Sequence, residues 1–488
     1  MKLTSSVVRS AAAYLDSWLA FRRDYLRLPG VQVAVLFDGE LVLSGAYGLA
    51  DVERDVELTR EHLFRVASHS KTFTATAIMQ LHEAGRLGLD DRLSRWLPFA
   101  GAPAGDVTLR ELLSHAGGLT RDGLDADFWQ LQAPFPDEPA LRALVGAGAT
   151  VHPANERFKY SNVGYALLGL VIEAASGVPY ADYLTTEVVQ RLGLNHTGPE
   201  YDPARAAEYA VGYSALSYAA ERVPIDHVDT AAMASATGFF STAEDLCRYA
   251  AAHFWGDRRL LADPAKRLMQ HQWWPIAGET DAGYGLGFAI IGCGERRLVG
   301  HGGGYPGHIT RTVFDPADRL AVAVLTNAID GPAEELATTV VKLVDLAAEA
   351  AAGGAAEAAA GGAAEAVRMA EAGGPDGARP GPERFTGRLA NLWGVHDVAL
   401  LGGRLFLLDP TSADPTGSCG RLTVEDDTTL RVTQGSGYGA VGERMSYEFT
   451  DAGNVASVRG AGGVTSWPLE GFVLPGRVPA PVRRSAAG

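Results

Sequence analysis

Three cysteines in 488 residues, Cys247, Cys293 and Cys419, stand far apart with no C-x-x-C among them. That excludes a disulfide framework and a zinc ribbon, and it suits a reducing compartment. Positive charge is also scarce: 42 Lys and Arg against 58 Asp and Glu leave a net charge of −16. Electrostatic attraction to nucleic acid or to an anionic membrane is therefore not expected. No apolar run approaches the ~18 residues of a membrane span. No His/Asp/Glu set has zinc spacing, so neither metal nor cofactor is expected. The glycines of Gly435-Ser436-Gly437-Tyr438-Gly439 lack the strand-to-helix context of a phosphate loop and read as a mobile loop. Met1 to Leu26 is broken by Arg9, Asp16, Arg22, Arg23 and Asp24, which reads as an amphipathic helix rather than a signal peptide, with a cytoplasmic chain as the expectation.

What is present describes a globular protein with room for two or three domains: nearly half the residues are apolar, and eight tryptophans are spread along the chain. Val31, Val33, Val35 and Phe37 alternate up to Asp38-Gly39, and Leu41 to Leu43 returns, which predicts a β-hairpin. A helical run follows from Thr72 to Ala84. Thr108 to Glu111 is a capping box opening a short helix. Further helices are expected over Tyr165–Ala175, from Ser241 through His253, and over Ala333–Ala348. Gly307–Phe314 and Leu320–Thr326 form a second hairpin around Asp315-Pro316. Strands at both ends with helices between predict an α+β fold, an antiparallel sheet pairing the first hairpin with the last and flanked by helices. From 347 to 380 the composition collapses to Ala, Gly and Glu, with Ala351 to Ala358 repeated without change at Ala359 to Ala366, which reads as a spacer. Six short β segments between Val398 and Val458 then predict a small antiparallel barrel or sandwich. After Val473 the chain reads as a loose tail. The expected division is a catalytic domain over 1–346, a linker over 347–380 and a β domain over 381–488.

Ser68-His69-Ser70-Lys71 stands at the mouth of the first long helix. A serine three residues before a lysine shares a helix face with it. A neutral lysine can then accept the serine proton as the hydroxyl attacks a carbonyl. S-x-x-K is common by accident, but here Tyr160-Ser161-Asn162 and His301-Gly302-Gly303-Gly304 follow in order. With Phe64-Arg65-Val66-Ala67 ahead of the serine, these fragments resemble the serine penicillin-recognising superfamily, and are most similar to class C β-lactamases, D-aminopeptidases and their esterase relatives. Leu112-Leu113-Ser114-His115, Gly238 to Leu246 and Tyr284-Gly285-Leu286-Gly287-Phe288 support the likeness, which spans residues 30 to about 345.

The resemblance implies a β-lactamase/transpeptidase-like sheet, a lipocalin-like barrel behind it, and a role for each motif residue. Ser68 would be the nucleophile and Lys71 its proton acceptor. Tyr160 would be a base or shuttle, which asks for a phenol pKa lowered by nearby positive charge. Asn162 would hold a substrate carbonyl. Gly304 would pair its N–H with that of Ser68 as an oxyanion hole, in a run with Gly302 and Gly303 that admits substrate backbone. His301 departs from the Lys-Thr/Ser-Gly pattern that recognises a carboxylate in true β-lactamases, which weakens that reading. His69, His308 and Arg311 have substrate-contacting and structural roles about equally open, and His115 is implied to be structural.

The common chemistry is acyl transfer through Ser68. Three versions stay open: a D-aminopeptidase or amidase, a penicillin-binding-protein-type thioesterase that cyclises a nonribosomal peptide taken from its carrier domain, and a small-ester esterase. A single C-terminal β domain favours the second. The expected partners are a small peptide or peptidyl thioester and a carrier domain, with no nucleic acid and no membrane. A non-catalytic sensor is disfavoured by the presence of Ser68, Lys71, Tyr160 and Asn162 together.

Overall fold

A computed structural model describes residues 3–217, 219–351, 381–401, 404–409, 419–435 and 439–481. The Ala/Gly-rich repeat, and Ser436 to Tyr438 of the glycine loop, fall outside them.

The first hairpin forms where the alternation places it, with strands Gly30–Phe37 and Glu40–Asp51 joined at Asp38 and Gly39, both at positive φ. Its inner strand pairs antiparallel with Leu320–Thr326, so the first and last hairpins meet in one sheet. From one edge the nine strands run Val56–Glu57, Glu40–Asp51, Gly30–Phe37, Leu320–Thr326, His308–Asp315, Arg296–Tyr305, Ala289–Cys293, Ala282–Tyr284 and Trp274–Pro275.

Period-two side-chain alternation gives this sheet two buried faces. Val31, Val33, Val35 and Phe37 pack with Val8, Leu15 and Leu19 of the N-terminal helix Ser5–Tyr25 and with Leu336, Val340 and Val344 of Ala333–Ala351. Ala34 and Leu36 face the opposite core, shared with Phe73 and Ile78 of Ser70–Glu83 and with Tyr165, Leu168 and Ile172 of Asn162–Ser176.

The second of those helices starts three residues before the expected Tyr165. Ser161 caps it by accepting the Gly164 N–H at 2.9 Å, so Asn162 is its first helical residue. The Thr108–Glu111 capping box is present and opens Leu109–Leu113.

The C-terminal region is a closed antiparallel barrel of eight strands, not six. The two additional strands, Gly387–Asn391 and Thr465–Pro468, pair with each other and close it. The interior holds Phe385, Leu389, Val398, Leu422, Leu430, Met445, Tyr447 and Val458.

The stretch after Val473 is not loose as far as it is described. Val478 exchanges backbone hydrogen bonds with Pro224 and Asp226, and Arg477 pairs with Asp226.

Candidate active site

Ser68 sits in a 3-10 turn, Ala67–His69, that runs straight into the helix Ser70–Glu83. Ala67 ahead of it has φ +42°, a left-handed conformation that costs a residue with a Cβ. Lys71 is fully buried one turn on, with Nζ 3.1 Å from Ser68 Oγ. Two acceptors hold that amine: Asn162 Oδ1 at 2.6 Å and the Ala236 carbonyl at 2.9 Å. Burial drives the Lys71 pKa well below its ordinary value, against the opposing pull of Asp122. A neutral amine has two N–H groups, which these acceptors use, and its lone pair then faces the Ser68 hydroxyl. The arrangement can therefore take the serine proton without a further base.

Tyr160 hydrogen-bonds Ser68, and its ring lies 4.8 Å from Lys71 Nζ. Its phenol is not lowered: burial pushes its pKa above the ordinary value and outweighs the Ser68 hydrogen bond and nearby Arg121. A phenolate base is thus replaced by a neutral phenol able to relay a proton between Ser68 and a leaving or attacking group. Asn162 donates Nδ2–H to Asp122 Oδ1 at 2.7 Å, which fixes its amide so that Oδ1 faces Lys71.

His301 lies on Arg296–Tyr305, whose inner edge pairs with Ala289–Cys293 only as far as Gly300. From His301 to Tyr305 that edge is open. His301 Nδ1–H donates to the Gly302 carbonyl at 2.6 Å, which leaves Nε2 to accept from Tyr284 OH at 3.0 Å. Burial, with Lys71 next, lowers its pKa far below the usual histidine range. A neutral imidazole thus stands at the third motif, where the resemblance in sequence implies a lysine in true β-lactamases.

Ser68, Tyr160, Asn162, His301, Gly302 and Gly304 line one cavity of about 670 Å³. Gly303 does something else: a Cβ there would lie 2.1 Å from the Val66 carbonyl, so the glycine lets the strand pass against the turn that presents Ser68. Ser70 is fully buried and receives the Phe239 N–H, which removes it as a rival nucleophile. His69 is held between Val66 O and Thr312 Oγ1, and burial lowers its pKa to about 4. His308 is buried against Phe64. Arg311 does line the cavity, paired with Glu334. His115 lies just past its helix and is structural: its Nδ1 accepts the Ser161 N–H, so it braces the second motif.

Sequence reasoning missed several lining residues. Arg121, Asp122 and Trp129 come from the catalytic side; Asn391, Trp393, Ala461, Gly462 and Val464 come from the barrel. Trp393 meets Trp129 edge to face at 6.0 Å and donates its indole N–H to the Trp129 carbonyl. No short motif announces them, because each acts through a contact more than two hundred residues away or inside an irregular loop. The barrel reaches the cleft through its turns at Asn391–Trp393 and Ala461–Val464.

Comparison with known proteins bears on the fold and the family. Penicillin-binding protein 4* of Bacillus subtilis (strain 168) is 32% identical over 308 residues, 59% of this chain and 66% of that protein, just under two-thirds of its length. The solved structure of SurE superposes with a TM-score of 0.62 at 26% identity, covering 94% of this chain and 99% of SurE, and a second SurE structure holds D-Leu. The octameric penicillin-binding protein homologue from Pyrococcus abyssi shares the fold, with a TM-score of 0.63 at 22% identity over 91% of this chain and 97% of its own. Residues 15–346 match the Beta-lactamase family model. That match spans more than half of the chain and takes in Ser68, Lys71, Tyr160, Asn162 and His301, and the chain belongs to the Beta-lactamase family.

Proposed function

We propose that the chain releases and cyclises a peptide delivered as a thioester on a carrier domain, with Ser68 holding the peptidyl group between donor and acceptor. The observation that carries this reading is the cleft built by two domains. Trp393, beside Gly304, and the Ala461–Val464 turn of the barrel line the same cavity as Ser68, an aromatic and apolar wall beside an otherwise polar centre. Such a wall limits water at the acyl-enzyme and leaves room for a peptide to fold back. The neutral His301 supplies no cation for a β-lactam carboxylate. D-Leu in the SurE structure supports recognition of a D residue here too. Such a substrate would place the protein in the cytoplasm.

The steps balance without any oxidant. Ser68 Oγ attacks the thioester carbonyl as its proton passes to Lys71 Nζ. The C–S bond breaks, and the thiol leaves with that proton, relayed through Tyr160. The peptide's own amine then attacks the ester, its proton returns through Tyr160 and Lys71, and Ser68 Oγ recovers it as the C–O bond breaks. The Ser68 and Gly304 N–H groups would hold the developing oxyanion. The D-Leu observation equally fits a second reading, in which water is the acceptor and the enzyme is a D-residue amidase, aminopeptidase or esterase.

The test offers a synthetic peptidyl thioester with a D residue at its C-terminus, a D-amino acid amide and a chromogenic cephalosporin. The expected outcome is a cyclic product one water lighter than the linear acid. Cephalosporin turnover should fall below the ordinary enzyme range of kcat/KM, about 10⁴–10⁸ M⁻¹s⁻¹. Only linear acid from the thioester would favour the second reading, and efficient cephalosporin turnover would contradict both.

A further inference from the structure

Asp127, Gln130 and Asp125 seat the barrel on the catalytic domain through Thr465 and Arg459. One further contact is of a different kind. Glu443 of the barrel reaches into the catalytic domain and forms a buried ion pair with Lys159, their side chains 8% and 2% exposed. Lys159 immediately precedes Tyr160 in the chain. Glu443 Oε1 also accepts the backbone N–H of Arg121 at 3.2 Å, and Oε2 accepts the Gly462 N–H at 3.0 Å. The carboxylate is itself held firmly: its own backbone N–H donates to Ala440 O, and its carbonyl accepts from Val432 N–H.

From Arg121 the hydrogen bonds continue to the reacting groups. The Arg121 carbonyl accepts the N–H groups of Asn162 and Val163, at 2.8 and 3.2 Å, and so holds the start of the helix that carries Asn162. Asp122 then fixes the Asn162 amide, whose oxygen accepts from Lys71. One barrel carboxylate thus grips both segments that present the second motif: Lys159, the residue before Tyr160, and the N–H of Arg121, the residue whose carbonyl caps the Asn162 helix.

We infer that Glu443 is a positioning residue for Tyr160 and Asn162, and that the reactivity of Ser68 depends on the barrel being seated through it. The pair is buried deeply enough that neither charge survives comfortably without the other. Glu443→Gln leaves one uncharged oxygen where Lys159 and the Arg121 and Gly462 N–H groups all need an acceptor, and Glu443→Leu leaves none, so either change acts on the neighbours of Ser68. The inference rests on Ser68 as nucleophile and is independent of which acyl group it carries.

The experiment uses the full-length chain and a fluorophosphonate, with the limiting rate of Ser68 labelling separated from the probe's half-saturating concentration. Glu443→Gln, shown folded by near-ultraviolet circular dichroism, should label at least tenfold more slowly, with the half-saturating concentration within twofold. If that variant does not fold, Lys159→Met/Glu443→Leu removes both charges and keeps the interface filled; it should show a similar loss, since leucine cannot accept the Arg121 N–H. Asp127→Asn, which alters barrel seating elsewhere, should label within twofold of the starting protein. A folded Glu443→Gln or double variant that labels at the original rate overturns the inference while leaving Ser68 intact. So does an equal loss in Asp127→Asn, which would assign the effect to seating in general. A starting protein unlabelled at Ser68 overturns this inference and the nucleophile assignment together.

Discussion

Lys71 owes its proposed role to burial more than to its neighbours' charges. With the amine fully enclosed, protonation removes the lone pair that faces Ser68, so activity should fall as pH drops through the lowered Lys71 pKa. Asp122 opposes that lowering. Asp122→Asn keeps an acceptor for Asn162 but removes the charge, so the Lys71 pKa should fall further and the acidic limb of the kcat/KM profile should move to lower pH. A limb that moves to higher pH, or one that follows His301→Asn instead, would show that another group governs the profile. Lys71→Ala should cost about 10²–10⁴-fold in Ser68 acylation, the usual worth of a positioned base. Tyr160, whose pKa burial raises, should serve only as a neutral relay, and Tyr160→Phe should slow turnover without creating a new alkaline limb.

Between elements, the tightest fit is where the third motif strand crosses the nucleophile turn. Gly303→Ala would place a methyl group 2.1 Å from the Val66 carbonyl, where only backbone movement can relieve it. Over-packing of this kind costs about 1–3 kcal/mol, and the displaced segment leads directly into Ser68. A lowered melting temperature together with slowed labelling is the expected result; an unchanged rate would separate the strand from the nucleophile.

The same elements show what the sequence could convey. Strict alternation in Val31 to Phe37, and the S-x-x-K spacing, are local and were legible, as was the ordering of the three motifs. Gly387–Asn391 and Thr465–Pro468 were not: one ends in proline, and besides their hairpin neighbours each takes its second partner only across the barrel seam, at Leu389–Pro468 and Ala390–Trp467. Trp393, Asp122 and Glu443 carry no local signature, because their roles exist only once distant segments meet. Tyr160 lines the cavity with Ser68, yet its protonation state depends on burial that spacing does not reveal.

At the scale of the molecule, the barrel and the catalytic domain form one cleft. Trp129 and Trp393 meet across the boundary, and Glu443 is buried within it. Glu443→Gln should therefore destabilise the chain as well as slow it, by about 3–5 kcal/mol if the Lys159 charge is left uncompensated. The double replacement with Met and Leu should recover much of that stability while the labelling rate stays low. Thermal melts of the two variants side by side would check this; equal melting temperatures would mean that an uncompensated Lys159 charge is not what destabilises Glu443→Gln.

The claim on which the rest depends is that Ser68 carries the acyl group. Its most direct measurement is the intact mass of the protein quenched during turnover of a peptidyl thioester, followed by mapping of the modified peptide. The expected result is one peptidyl adduct on Ser68, absent in Ser68→Ala. An adduct on any other residue, or turnover that survives in a folded Ser68→Ala protein, would contradict it.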